Sequence, residues 1–71
     1  MLSKLEGAVM DGRINVAWAI YHQSKHYLSL EIRSIIRGAI IARTKEMQGE
    51  TLSHQRELAK ESFYALFKEV K

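Results

Sequence analysis

DGRINVAWAIY, residues 11 to 21, decides how this chain folds. Ile14, Val16, Trp18 and Ile20 alternate with smaller or polar neighbours, which is the period of a half-buried strand. Read outward, the same segment fits a helix. Leu2, Leu5, Val9, Val16, Ile20 and Tyr27 share one face at helical spacing. A lone strand has nothing to pair with, and no other segment alternates comparably, so the segment is helical. Asp11-Gly12 is a turn dipeptide that can end a helix. The apolar phase nevertheless runs through it unshifted, and Gly12 falls on the same stripe. The spacing therefore predicts one long helix over residues 3–27, with Gly12 as the place for a kink. Ser3 and Glu6 have the spacing of a capping box at its start.

Two more helices follow. Ser29 is a candidate N-cap and Gly49 a candidate C-terminal stop. Between them Ile32, Ile35, Ile36, Ala39, Ile40 and Met47 make a broad apolar face over residues 29–48. Thr51 or Ser53 can cap a third helix over 51–70, whose stripe is Leu52, Ala59, Phe63, Leu66, Phe67 and Val70. Short links predict antiparallel neighbours. The expected fold is all-α, a small three-helix bundle formed by residues 1–71 as a single domain.

Composition narrows the rest. Seventy-one residues make one domain at most, and the absence of cysteine excludes both a disulfide framework and a thiolate metal site. The longest stretch free of charge, Ile14 to Ser24, is eleven residues and too short to span a bilayer. Met1 to Glu6 lacks the apolar core and cleavage site of a secretory signal, so the cytoplasm is the expected location and no membrane partner is expected. Net charge is +3, and its distribution is uneven. Residues 25–45 hold Lys25, Arg33, Arg37, Arg43 and Lys45 against Glu31 alone. Such a segment attracts phosphates or acidic protein surfaces.

Few residues qualify for chemistry. His22 and His26 have the spacing of a two-histidine metal site, but Lys25 lies between them and no cysteine completes the set. The serines fit helix caps and polar faces better than a nucleophile's place, and no glycine-rich phosphate loop is present. A helix-turn-helix match around Ala8 and Gly12 is weak, because Asp11 and Arg13 stand where apolar packing is needed. No enzyme activity, metal or cofactor is expected.

Two surfaces remain. On the first helix Ile14, Trp18, Tyr21 and Lys25 form a stripe away from the Leu5/Val9/Val16/Ile20 core side, and Trp and Tyr are enriched in binding hot spots. On the second helix Arg33 and Arg37 stand one turn apart at a basic edge. The run Gly38, Ala39, Ala42 lets another backbone approach closely, while Ile41 points away from the Ile32/Ile36/Ile40 face and Arg43 falls inside it. Together, Gly38, Ala39, Ile41 and Ala42 predict self-association as a homo-oligomer. The expected function is a small regulatory or inhibitory protein that occludes a protein partner with an acidic or grooved surface. The alternative is nucleic-acid binding through the arginine edge on phosphates.

Overall fold

The computed structural model describes residues 2–68, and within them the chain is all-α. Four helices follow in order: α1 (Leu2–Met10), α2 (Ile14–Ser24), α3 (Leu30–Met47) and α4 (His54–Lys68). A 3₁₀ turn, Lys25–Tyr27, extends the end of α2. Val70, expected on the last apolar stripe, lies outside the described residues.

The long first helix is broken. Gly12 adopts φ +76°, a left-handed backbone that no α-helix continues through. Its N–H donates to Val9 O at 3.1 Å, and Arg13 N–H donates back to Ala8 O at 2.8 Å. This pair of bonds is a Schellman C-cap, which gives partners to the Ala8 and Val9 carbonyls near the end of α1. Residues 47–50 repeat it: Gly49 has φ +85°, Gly49 N–H donates to Glu46 O at 2.9 Å, and Glu50 N–H donates to Lys45 O at 3.1 Å. Gly49 thus ends α3 as its sequence position predicts, and Gly12 ends α1 by the same device.

Helix starts follow local chemistry. The Ser29 hydroxyl accepts from Ile32 N–H at 3.2 Å and caps α3. Ser53, rather than Thr51, caps α4 by accepting from Arg56 N–H at 3.3 Å. Ser3 lies inside α1, which is already helical from Leu2.

The break changes which residues α2 buries. Its buried positions are Ala17, Tyr21 and Ser24, while Val16 is 43% exposed. A helix restarted after a left-handed residue has a new phase, so the Leu5/Val9 stripe does not continue into Val16. The core joins Leu5, Ala8 and Val9 of α1 to Ala17 and Tyr21 of α2, Ile36, Ala39 and Ile40 of α3, and Phe63 of α4. Each large apolar side chain buried completely there stabilises the fold by about 1.5–3 kcal/mol. Tyr27 and Met47, both read as core from spacing, stand outside it.

The two glycines give the first test. Alanine at either forces a left-handed L residue and should cost about 1–2 kcal/mol. A Cβ on Gly12 would also stand 2.7 Å from Met47 Sδ, whereas one on Gly49 meets nothing within 4 Å. Gly12→Ala is therefore expected to be the costlier, and adding Met47→Ala should remove the excess in a urea-melt double-mutant cycle.

Candidate functional site

The candidate partner-binding residues of α2 do not share one environment. Ile14 and Trp18 are half-buried and pack against the core with their inner sides. Tyr21 is only 3% exposed and belongs to the core itself, so its ring cannot serve as an anchor for a partner. The restarted phase of α2 causes this, since Ala17, Tyr21 and Ser24 are the i, i+4, i+7 positions that face inward. What the stripe presents outward is Trp18 and, one turn on, the exposed His22. Their rings stack, with centroids 6.0 Å apart and planes 25° apart. Tyr21 braces both edge-on, at 5.8 Å from Trp18 and 5.3 Å from His22. Lys25 follows in the 3₁₀ turn, half-buried. That tighter turn also takes His26 out of α-helical register with His22.

The basic edge of α3 lies beside this surface. Arg37 is exposed, and its Nη1 donates to the Tyr21 hydroxyl at 2.9 Å. Two stretches that look separate in sequence are thereby joined, the aromatic face of α2 and the arginine edge of α3. Arg33, one turn earlier, bends back to donate from Nε to Leu28 O at 3.1 Å. Among the described residues Lys25, Arg33 and Arg37 form no ion pair.

The small-residue run of α3 has a use inside the chain. A Cβ on Gly38 would sit 3.5 Å from the Ala59 Cβ, so α4 covers this side of α3. Glu46, two turns further along the same ridge, ion-pairs with Lys60 of α4. Ala42, between them at i+4 from Gly38, is completely buried, and Ala39 belongs to the core. Gly38, Ala39 and Ala42 therefore explain helix packing within one copy, and they do not present a surface to a second. Of the four residues expected to self-associate, Ile41 is the exposed one, at 38%.

Arg43, which falls inside an apolar face, has the most definite role. Its Nε donates to Val9 O at 3.0 Å and its Nη2 to Met10 O at 3.1 Å. A guanidinium at the negative end of α1 satisfies carbonyls that the Schellman bonds leave partly free. Nη1 pairs with Glu46 Oε1 at 3.2 Å, and Glu46 Oε2 accepts from Lys60 Nζ at 2.6 Å. One carboxylate thus ties the clamp on α1 to α4.

The Lys60 hydrogen bond holds the Glu46 carboxyl below its ordinary value, with Arg43 adding to the effect and burial opposing it. The same bond raises Lys60 above its own ordinary value. A lowered carboxylate stabilises the fold fully above its unfolded pKa, and that contribution disappears as pH falls through the lower folded value. A raised lysine contributes below its unfolded pKa and loses the contribution as pH rises through the higher folded value. Glu46→Gln should therefore lower the urea midpoint at neutral pH. It should also flatten the acid limb of a midpoint–pH profile, because the residue that loses its proton in folding is gone.

Two features escape sequence reading. Met10, Val16 and Met47 are 55%, 43% and 56% exposed, and Val16 and Met47 line a shallow depression with Gly12, Arg13, Ile14 and Asn15. Tyr27 and Leu30 are 86% and 76% exposed at the corner between α2 and α3. Both patches hold residues that helical spacing had assigned inward; for Val16 and Tyr27 the end of α1 at Gly12 was the signal that would have released them, whereas Met47 is the last residue of α3. No helix among the described residues is long and apolar enough to cross a membrane. No family model matches the chain, and no match was found among curated proteins or solved structures.

Proposed function

We propose that the chain is a small non-catalytic regulatory protein that occludes a protein partner, and that Trp18, His22 and Arg37 form the centre of its contact surface. One observation carries this reading: Lys25, Arg33 and Arg37 carry charge that no described carboxylate neutralises, and Arg37 is fastened to the aromatic cluster of α2. Arg43 and Lys45, further along α3, and Lys60 of α4 differ, since all three have acidic partners. Uncompensated cations beside an exposed aromatic face suit an acidic partner surface, steering it electrostatically and holding it by apolar burial.

The test is capture from a lysate of the source cells, with and without nuclease. A protein retained after nuclease, bound about thirtyfold more weakly by Trp18→Ala and lost with Arg37→Glu, supports the proposal. Recovery only as nucleoprotein overturns it in favour of phosphate binding. In that case Arg33→Ala with Arg37→Ala should flatten a steep salt dependence. Self-association enters the proposal through Ile41 alone. Sedimentation equilibrium should then read above the 8.2 kDa chain, and Ile41→Glu should return it to that mass. A monomer of the unaltered chain removes it.

A further inference from the structure

The contact between Tyr21 and Arg37 says more than that two surfaces meet. Tyr21 is buried, so its hydroxyl is fixed to the core and cannot follow a moving partner. Arg37 is exposed and would otherwise sample many rotamers. Its Nη1 is spent on the Tyr21 oxygen at 2.9 Å, and no other hydrogen bond or ion pair engages its guanidinium among the described residues. The edge left over is the one formed by Nε–H and Nη2–H. Those two donors are parallel and coplanar, the arrangement that receives both oxygens of one carboxylate. An arginine anchored through Nη1 is therefore held with its carboxylate-binding edge free and part of its rotamer entropy already lost in the unbound chain.

The surroundings limit what comes with that carboxylate. Tyr21 packs edge-on against both Trp18 and His22, which stack on each other, so the residue that anchors the guanidinium also joins it to an aromatic cluster. Burial there favours a planar or apolar side chain close to the acid. A nucleic acid offers flat bases too, but its affinity grows with the number of phosphates met. This surface holds three cations without an acidic partner among the described residues, Lys25, Arg33 and Arg37, and Arg33 has its Nε turned back to Leu28 O.

Resting on the protein-binding reading above, we propose that Arg37 is the specificity residue of the surface. It receives one aspartate or glutamate side chain of an acidic peptide segment, whose neighbouring aromatic residue packs against the Trp18–His22 stack. Tyr21 is then a positioning residue, acting on the partner only through Arg37.

Trp18 is the sole tryptophan, so its emission reports binding directly. The probe is a capped decapeptide of alternating glutamate and phenylalanine, compared with its glutamine counterpart and with single-stranded oligothymidylate. The glutamate peptide should shift Trp18 emission and bind about tenfold tighter than the glutamine peptide. Arg37→Gln should erase that preference. Arg37→Lys, which keeps the charge but not the fork, should restore only a minor part of it. Tyr21→Phe should weaken the preference severalfold while thermal melting shows the variant still folded. Should Tyr21→Phe unfold the chain, the comparison of Arg37→Lys with Arg37→Gln decides alone, because Arg37 is exposed and both substitutions leave every core side chain in place.

Equal binding of the two peptides, full rescue by lysine, or tighter binding of oligothymidylate overturns the proposal. So does a captured cellular partner that is lost with Trp18→Ala and kept with Arg37→Gln. That last outcome leaves the protein-binding function standing and removes only the carboxylate receptor.

Discussion

Phe63→Ala should leave most of the chain unfolded at room temperature. Phe63 is completely buried, and it is the one described residue of α4 in the core. Its ring meets Tyr64 and Phe67 edge-on, with centroids 5.4 and 5.1 Å away, so truncation also removes two aromatic contacts. A Phe-to-Ala change in a packed core costs about 3–5 kcal/mol. A domain this small, without disulfide or metal, holds roughly that much stability in total. Far-UV circular dichroism in a urea titration should show the native baseline gone. Tyr27→Ala is the internal control: that side chain is 86% exposed, and its loss should move stability by no more than about 0.5 kcal/mol. Comparable losses at the two positions would mean that this core is wrongly drawn.

The second large effect is expected at Arg43. Arg43→Ala removes two hydrogen bonds to the carbonyls that end α1 and one to Glu46. Charge-assisted bonds contribute about 1.5–3 kcal/mol each when fully enclosed. This side chain is 28% exposed, so water replaces part of the loss, and about 2 kcal/mol is expected in all. For a chain of this length the melting temperature should fall by roughly 10 °C. Arg43→Lys should recover less than half, because one ammonium cannot reach both carbonyls in the geometry of a planar fork. Full recovery with lysine would show that charge near the helix end, and not the paired bonds, is what matters.

The role of Arg43 was only half legible in the sequence. An arginine inside an isoleucine-rich face signals a buried polar partner, but the partner is a backbone carbonyl on another helix, which no side-chain pattern records. The helix ends were written more plainly. Met10-Asp11-Gly12-Arg13 and Met47-Gln48-Gly49-Glu50 share one local pattern, a methionine and a polar residue before glycine. At Gly49 the apolar face had ended, so the stop was evident. At Gly12 the apolar phase ran on through Val16 and Ile20, and spacing outweighed turn chemistry. Because periodicity is a sum over many residues, one left-handed residue inside the window changes its meaning without changing its strength. From that single error follow the inward placing of Val16 and Tyr27 and the outward placing of Tyr21. The basic run of α3 was legible because charge depends less on exact phase, whereas Trp18 is half-buried against the core and so does not stand clear of it as the stripe implied. Their junction was not legible, since the Arg37–Tyr21 bond joins residues sixteen positions apart.

The clamp on α1 has a consequence for the order in which the molecule can be completed. The Schellman bonds at Gly12 close within six residues, so α1 and its turn can form as soon as that segment leaves the ribosome. The Met10 carbonyl waits for Arg43, thirty-three positions later, and Glu46 in turn waits for Lys60. Local contacts form early and distant ones pay a loop-closure entropy first. During synthesis, then, α1 and α2 precede the helix that covers their inner side. The apolar side chains of Leu5, Val9 and Tyr21 stay open to solvent and to other nascent chains until α3 arrives to lay Ile36 and Ile40 over them. Arg43 is the latch that registers this arrival.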